Sequence, residues 1–177
     1  MNCDYCEISR KKVKSEIVYE DDLIIGVVKD MATFPGQISL FPKEHYTIIE
    51  LVPNPVVDRI FQIANKISIA LFESLGVQGT NIIVQNGTAA GQKVPHFSVD
   101  VVPRKDGDNL NFQWKTKQLM DDEMDTAYLM LKEEGDRLFI DKEPKKEEIK
   151  IQDAKTEMIL EKEGKDNYLL KQLNRRP

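Results

Sequence analysis

The sequence predicts a domain that combines one long helix with a set of short strands, and three observations carry that prediction. Residues 54–75 repeat apolar side chains at helical spacing. Short runs rich in Ile and Val lie on both sides of that segment, as strands would. Pro, Gly and Asn punctuate the chain between the runs, where the connections need turns.

Taken in order, the elements begin after the cysteine pair Cys3 and Cys6. Residues 16–29 read as two strands, 17–19 and 23–28, joined by the acidic turn Glu20-Asp21-Asp22. Phe34-Pro35-Gly36 interrupts, and residues 37–41 form a further strand that ends at Pro42, which has no amide hydrogen to offer a ladder. Asn54 and Pro55 open the helix, and Val57, Ile60, Phe61, Ala64, Ile67, Ile69, Leu71 and Phe72 supply its periodicity up to the closing Gly76. Residues 80–84 are strand-like, followed by the turn Asn86-Gly87, a small-residue loop over 88–91 and a strand over 94–102. An Asn-Gly step between two apolar runs is a hairpin signal, although this connection exceeds a two-residue turn. Residues 121–133 have helical character.

Composition shifts at Gly135, after which roughly half the residues are charged, with both signs interspersed. Apolar islands at 138–140, 149–151 and 158–160 fit strands of a small accessory sheet, and residues 168–173 a terminal helical turn. The charged run 142–148 reads as solvated surface. The expected organisation is a domain over residues 1–134 and a charged C-terminal extension over 135–177, to which the sequence assigns no function.

With 41% hydrophobic and 31% charged residues, the composition is that of a soluble globular chain. The net charge of -5 provides no overall basic field, so nucleic acid is not an expected partner. No apolar run is long enough to cross a bilayer, and residues 1–15 are polar where a signal peptide would be apolar. A cytoplasmic location is therefore expected. In a reducing compartment, Cys3 and Cys6 read as metal ligands or a redox pair rather than a structural disulfide.

The stretch that carries chemistry runs from Asn86-Gly87 through Gly91-Gln92 to His96-x-Ser98-x-Asp100 and Pro103-Arg104. It resembles the signature of the histidine-triad (HIT) family of nucleotide hydrolases and transferases: an Asn-Gly turn, a Gly-Gln pair, His-x-His-x-His on a strand, then Pro-Arg. Tyr19-Glu20-Asp21-Asp22, Pro35-Gly36, Pro42-Lys43-Glu44-His45-Tyr46 and the helix ending at Leu75 follow the family's order and spacing, so the resemblance covers residues 1–133. It implies an α+β fold, with an antiparallel sheet of about five strands and a main helix packed on it. It also implies a homodimer formed through the main helix and a strand, and attack by the middle histidine on the α-phosphate of a nucleotide conjugate.

The departures from that pattern decide the expected function. His96 keeps the first triad position, but Ser98 stands where the nucleophile belongs and Asp100 where the third histidine helps hold phosphate. Gln37 occupies the place of a fourth histidine after the Pro-Gly step. The carboxylate that grips the ribose in relatives falls on Lys29, with Asp30 one place late. Asn86, Gly91, Gln92 and Val94 survive, and with Asp100 they are the expected ligand-binding residues.

On a strand, His96, Ser98 and Asp100 would all point to one face. They do not make a Ser-His-Asp triad, because the serine lies between the other two, and Asp100 would sit ~13 Å of strand rise from His96. A serine without a base is a poor nucleophile. Asp100 also puts negative charge where the family holds phosphate, which Lys93 is expected to offset in part. Without the resemblance, Ser98 and Asp100 would read as polar residues on the open face of a sheet.

Many HIT proteins carry zinc ligands at the positions of Cys3, Cys6, His45 and His96, and no cysteine or histidine of the chain is left over. Spacing alone leaves a redox-active or incidental pair as good a reading. With the resemblance, two thiolates and two imidazoles imply a closed, structural Zn²⁺ sphere that ties down the N-terminal arm. Tyr5 is expected to pack near the arm, and Phe112 and Trp114 to pack in a core or dimer rather than stack on a base.

The resulting expectation is a zinc-stabilised module that binds a purine nucleotide or nucleoside, with Ser98 marking an inactive catalytic position. The alternatives are a nucleotide hydrolase or transferase with residual or altered chemistry, and a structural protein-interaction scaffold.

Overall fold

The structure, a computed structural model, describes residues 3–112 and 115–139. The chain divides into two compact units, Met1–Gln113 and Trp114–Pro177.

In the first unit, helix α1 (Asp4–Ser9) precedes the strands β1 (Ile17–Glu20), β2 (Ile24–Val28) and β3 (Ile38–Pro42). Helix α2 (Asn54–Leu75), β4 (Gly79–Val84) and β5 (Val99–Arg104) follow, with single 3-10 turns at Ile49–Leu51 and Thr88–Ala90. The five strands form one sheet in the order β1-β2-β3-β5-β4, with every neighbouring pair antiparallel. This is the expected α+β architecture, and β4 and β5 are the hairpin arms that Asn86-Gly87 signalled.

Helix α2 is set by its ends and its period. Pro55 fits the first turn, and Gly76 closes the helix in the left-handed conformation at φ 57°. Its buried stripe is Val56, Ile60, Ile63, Ala64, Ile67 and Leu71. Phe61 and Ile69, which belong to the apolar periodicity, lie outside that stripe and are exposed.

Strand alternation assigns two different coverings to the sheet. On one face Ile24, Ile38, Leu40, Val99 and Val101 meet the α2 stripe in the main core. Gly26 lets α2 approach closely, since a Cβ there would come 2.8 Å from Leu40 Cδ2 and 3.7 Å from Ile67 Cδ1. The other face carries a smaller cluster in which Ile25, Val27 and Phe41 pack against Cys3 and Tyr5 of the N-terminal arm.

The strand expected over residues 94–102 begins only at Val99. Pro95 lacks an amide hydrogen, His96 N bonds back to Val94 O at 2.7 Å, and Phe97 N donates to Tyr46 O at 2.6 Å. These bonds make a bend, so His96 and Ser98 are not on the strand that carries Asp100.

In the second unit, α3 (Asp121–Phe139) begins with the acidic turn Asp121, Asp122 and Glu123, which suits a helix N-terminus. It continues past Gly135, so Leu138, expected in a strand, is helical. The Glu134–Arg137 pair at 2.8 Å spans that last turn, and so short an apolar island cannot impose a strand against it. Trp114, the islands at 149–151 and 158–160, the run 142–148 and the turn 168–173 lie outside the described residues. Among the described residues no helix is long and apolar enough to cross a membrane.

Candidate functional site

The arm is where the candidate metal centre starts. Cys3 lies immediately before α1 and its carbonyl accepts from Glu7 N at 3.1 Å, so Cys3 and Cys6 sit one turn apart on the same side. His45 enters from the segment after β3, and His96 from the bend before β5. The ligating atoms of Cys3, Cys6, His45 and His96 all lie within 4.8 Å of one another.

Cys6 Sγ is 3.2 Å from His45 Nδ1 and 3.6 Å from His96 Nδ1, and Cys3 Sγ is 3.4 Å from His96 Nδ1. A tetrahedron with metal–sulfur bonds of about 2.3 Å and metal–nitrogen bonds of about 2.0 Å has S···N edges of about 3.5 Å. The four residues therefore fit a single tetrahedral cation. His96 Nε2 lies 3.0 Å from Pro42 O, so it carries the proton and Nδ1 turns its lone pair to the cysteines.

Electrostatics agree with this arrangement. Burial lowers the His96 pKa to about 4, with His45 adding to the effect against the pull of the Pro42 bond, which keeps the ring neutral as a ligand requires. Burial, then the adjacent Cys3 thiol, pushes the Cys6 thiol upward, away from free-thiolate reactivity. A bound cation would reverse that preference.

Beside the centre, on the same face of the sheet, lies a small polar pocket of about 50 Å³. Tyr5 and Val94 form walls, Lys29, Ser98 and Asp100 supply polar groups, and Gln92 and Lys93 line the rim. Tyr5 is held by stacking on Phe41, with ring centroids 4.2 Å apart and planes at 11°, and by an edge contact to His96.

Asp100 is the most connected group in the pocket. Lys29 Nζ reaches its Oδ2 at 3.1 Å and Oδ1 at 3.4 Å, while Ser39 Oγ donates to Oδ1. The Asp100 side chain is 14% exposed and that of Lys29 30%. The partner that offsets Asp100 is therefore Lys29 rather than Lys93, which is exposed and makes no ion pair among the described residues. Ser98 shares this pocket but has no imidazole or carboxylate hydrogen-bonded to it among the described residues.

The remaining expected ligand residues lie along the β4–β5 connection. Gln92 ties its loop to the segment after β3: Nε2 donates to Thr47 O at 2.7 Å and, within the loop, to Val94 O at 2.9 Å, and Oε1 accepts from Gly87 N at 2.8 Å. Asn86 joins that loop to the Ile49–Leu51 turn, accepting from Ile49 N at 3.1 Å and donating to Glu50 Oε1 at 2.7 Å. Gly91 takes φ +90°, which a side chain would strain. Gln37, at the place of the fourth histidine, is buried and accepts from Thr33 N at 2.8 Å.

Sequence reasoning missed Ser39 and underrated Tyr5. Ser39 pairs with Asp100 across the sheet, a register that strand patterning alone does not supply. Tyr5 had one available signal, its place between the two cysteines of the arm. Phe112 packs under the Arg104 guanidinium, 5.1 Å from ring centroid to Cζ. Arg104 itself holds Asp108, Asn81 and the Leu110 carbonyl.

A five-stranded antiparallel sheet with one long helix on one face, and a Cys/His centre beside a polar pocket on the other, defines an α+β domain built around a candidate metal site. The family model described as the HIT domain matches residues 10–107, and the chain belongs to the HIT family. It is similar to Adenylylsulfatase HINT3 of Arabidopsis thaliana, 31% identical over 118 residues, which are 67% of this chain and 58% of that protein. The chain thus spans less than two thirds of that relative. A HIT-like protein of Borreliella burgdorferi is 32% identical over 114 residues, or 63% of this chain and 82% of its own length. Among solved structures, a Zn-bound histidine triad family protein from Mycobacterium smegmatis aligns with TM-score 0.61 at 27% identity, over 76% of this chain and 98% of that one.

Proposed function

We propose that this chain is a zinc-stabilised nucleotide- or nucleoside-binding module that does not form a nucleotidyl-histidine intermediate. One observation carries the reading: the chain has only two histidines, and both point their Nδ1 atoms at the cysteine pair. No imidazole remains to attack phosphorus or to serve Ser98 as a base.

The name of the Arabidopsis relative places adenylyl chemistry in the family, which supports a nucleotide-like ligand for the pocket lined by Val94, Ser98 and Asp100. Gln92 also lines it, and Asn86 and Gly91 shape the β4–β5 connection that carries Gln92. The Zn-bound neighbour and the borderline-soft S₂N₂ donor set support zinc over harder cations. The exposed apolar residues Phe61 and Ile69 on α2 and Ile82 on the edge strand β4 support a homodimer through that helix and strand. Thiols kept free for metal suit a cytoplasmic location. On this reading residues 1–134 carry the binding function, and the extension over 135–177 is an appendage to it.

The test is incubation of the metal-loaded chain with adenosine phosphoramidate and a dinucleoside polyphosphate, followed by intact-mass spectrometry. The expected result is no nucleotidyl adduct and no turnover. An adduct on any residue would overturn the loss of covalent catalysis. Elemental analysis should find one zinc per chain, and sedimentation should find the dimer.

A further inference from the structure

We propose that the Lys29–Asp100 ion pair is the specificity determinant of the pocket, excluding phosphate-bearing ligands and leaving it to uncharged, hydroxyl-rich ones such as a nucleoside. This rests on the reading of the pocket as a nucleoside or nucleotide site, and it selects between those two ligands.

The geometry is that of a cation already spent. An anion-binding site needs donors whose positive charge is free to meet the ligand. Of the two lysines that line the pocket, Lys29 is the half-buried one, and its ammonium bridges both oxygens of Asp100 at 3.1 and 3.4 Å. Ser39, the other donor to this carboxylate, is fully buried beneath it and cannot turn to a ligand. A phosphate group entering beside Ser98 would face the Asp100 carboxylate on the same wall. To recruit Lys29 it would have to strip that half-buried carboxylate of its counter-ion, an exchange of one ion pair for another with a like charge left alongside. Lys93 does not change the outcome, because at the exposed rim its charge is screened by water and salt.

What the pocket does offer suits neutral hydroxyl groups. Lys29 reaches both Asp100 oxygens and Ser39 only Oδ1, so Oδ2 keeps a lone pair that can accept from a ligand hydroxyl. The Ser98 hydroxyl, unbonded among the described residues, can donate or accept beside it.

The test is calorimetric titration of the metal-loaded full chain with adenosine, AMP and inorganic pyrophosphate, in the wild type and in Asp100→Asn and Lys29→Gln. Asp100→Asn keeps the shape and an acceptor for Ser39 but frees the ammonium. The wild type should prefer adenosine to AMP by about tenfold and show no pyrophosphate binding. Asp100→Asn should raise AMP affinity by about tenfold and make pyrophosphate binding measurable. Lys29→Gln leaves the carboxylate uncompensated and should take neither anion.

Wild-type binding of AMP as tight as that of adenosine overturns the proposal. So does Asp100→Asn without a gain for either anion, or Lys29→Gln with one. If Asp100→Asn gains pyrophosphate while no protein binds adenosine or AMP, the exclusion of anions by the pair stands and the nucleoside reading of the pocket falls.

Discussion

Replacing Gln92 separates a residue that touches ligand from one that builds the loop. Its Oε1 faces an amide donor and its Nε2 faces the Thr47 and Val94 carbonyls, with the His96 carbonyl at 3.4 Å, so the network itself sets the amide orientation. Gln92→Leu removes three short hydrogen bonds worth about 1 kcal/mol each. Water reaches this half-buried site and recovers part of the loss, so we expect about 2 kcal/mol of destabilisation. For a domain of this size that is a fall in melting temperature of roughly 10 °C. Gln92→Glu should be worse at neutral pH, since a carboxylate cannot donate to the two carbonyls it would face. Urea unfolding of the ligand-free protein measures both. A Gln92 that served only a ligand would leave ligand-free stability unchanged. A loss below about 0.5 kcal/mol for Leu, or a Glu variant as stable as the wild type, would refute the loop-building role.

Chelating the metal should release α1 from the sheet. Hydrogen exchange would then show lost protection at the Glu7 and Arg10 amides while the α2 residues that pack the main core keep theirs. Ile60→Ala, at a fully buried position of α2, should cost about 3 kcal/mol in equilibrium unfolding. Acid should weaken the first unit through Asp21. Burial would raise this carboxyl, but hydrogen bonds from Arg59, Ile24 N, Tyr19 and Leu23 N outweigh it and hold it well below the usual carboxylate range. A depressed folded value stabilises above the unfolded pKa of about 4 and loses that contribution as pH falls further, so Asp21→Asn should flatten the acid limb of the stability curve.

The long elements were legible because their signals are local. Pro55, the apolar period and Gly76 delimit α2, and β-branched runs between turn residues mark the strands. The exposure of Phe61 and Ile69 is not legible in the sequence, because a helix with apolar residues on more than one face does not say which face a sheet will cover. Strand β5 starts later than the strand-like Val94 suggests, because the bend that delays it depends on a bond from Phe97 N to Tyr46 O, remote in sequence. The four metal-centre residues could be named from the family pattern, although Cys3 and His96 lie 93 positions apart and their spacing alone said little. The Lys29–Asp100 pair spans 71 positions. Both residues stood out as departures from the family, yet only the sheet, with β2 beside β3 and Ser39 opposite Asp100, shows that one answers the other.

That pairing changes how the substitutions are weighed. Taken singly, Lys29 stands where the family resemblance implies a ribose-binding carboxylate, and Asp100 sets a negative charge where it implies a phosphate contact. Placed together they neutralise each other, so the pocket keeps its polarity without a net field aimed at a ligand. A metal at the Cys/His group would also fix one of the pocket's walls. Helix α1 has six residues, too few to persist on helix propensity alone, and a metal bound at Cys3 and Cys6 would supply the anchorage that such a segment lacks. Tyr5 lies between those two anchors, stacked on Phe41 and lining the pocket together with Ser98 and Asp100. A closed metal sphere would have no place for substrate, yet through Tyr5 it would shape the surface that a ligand meets.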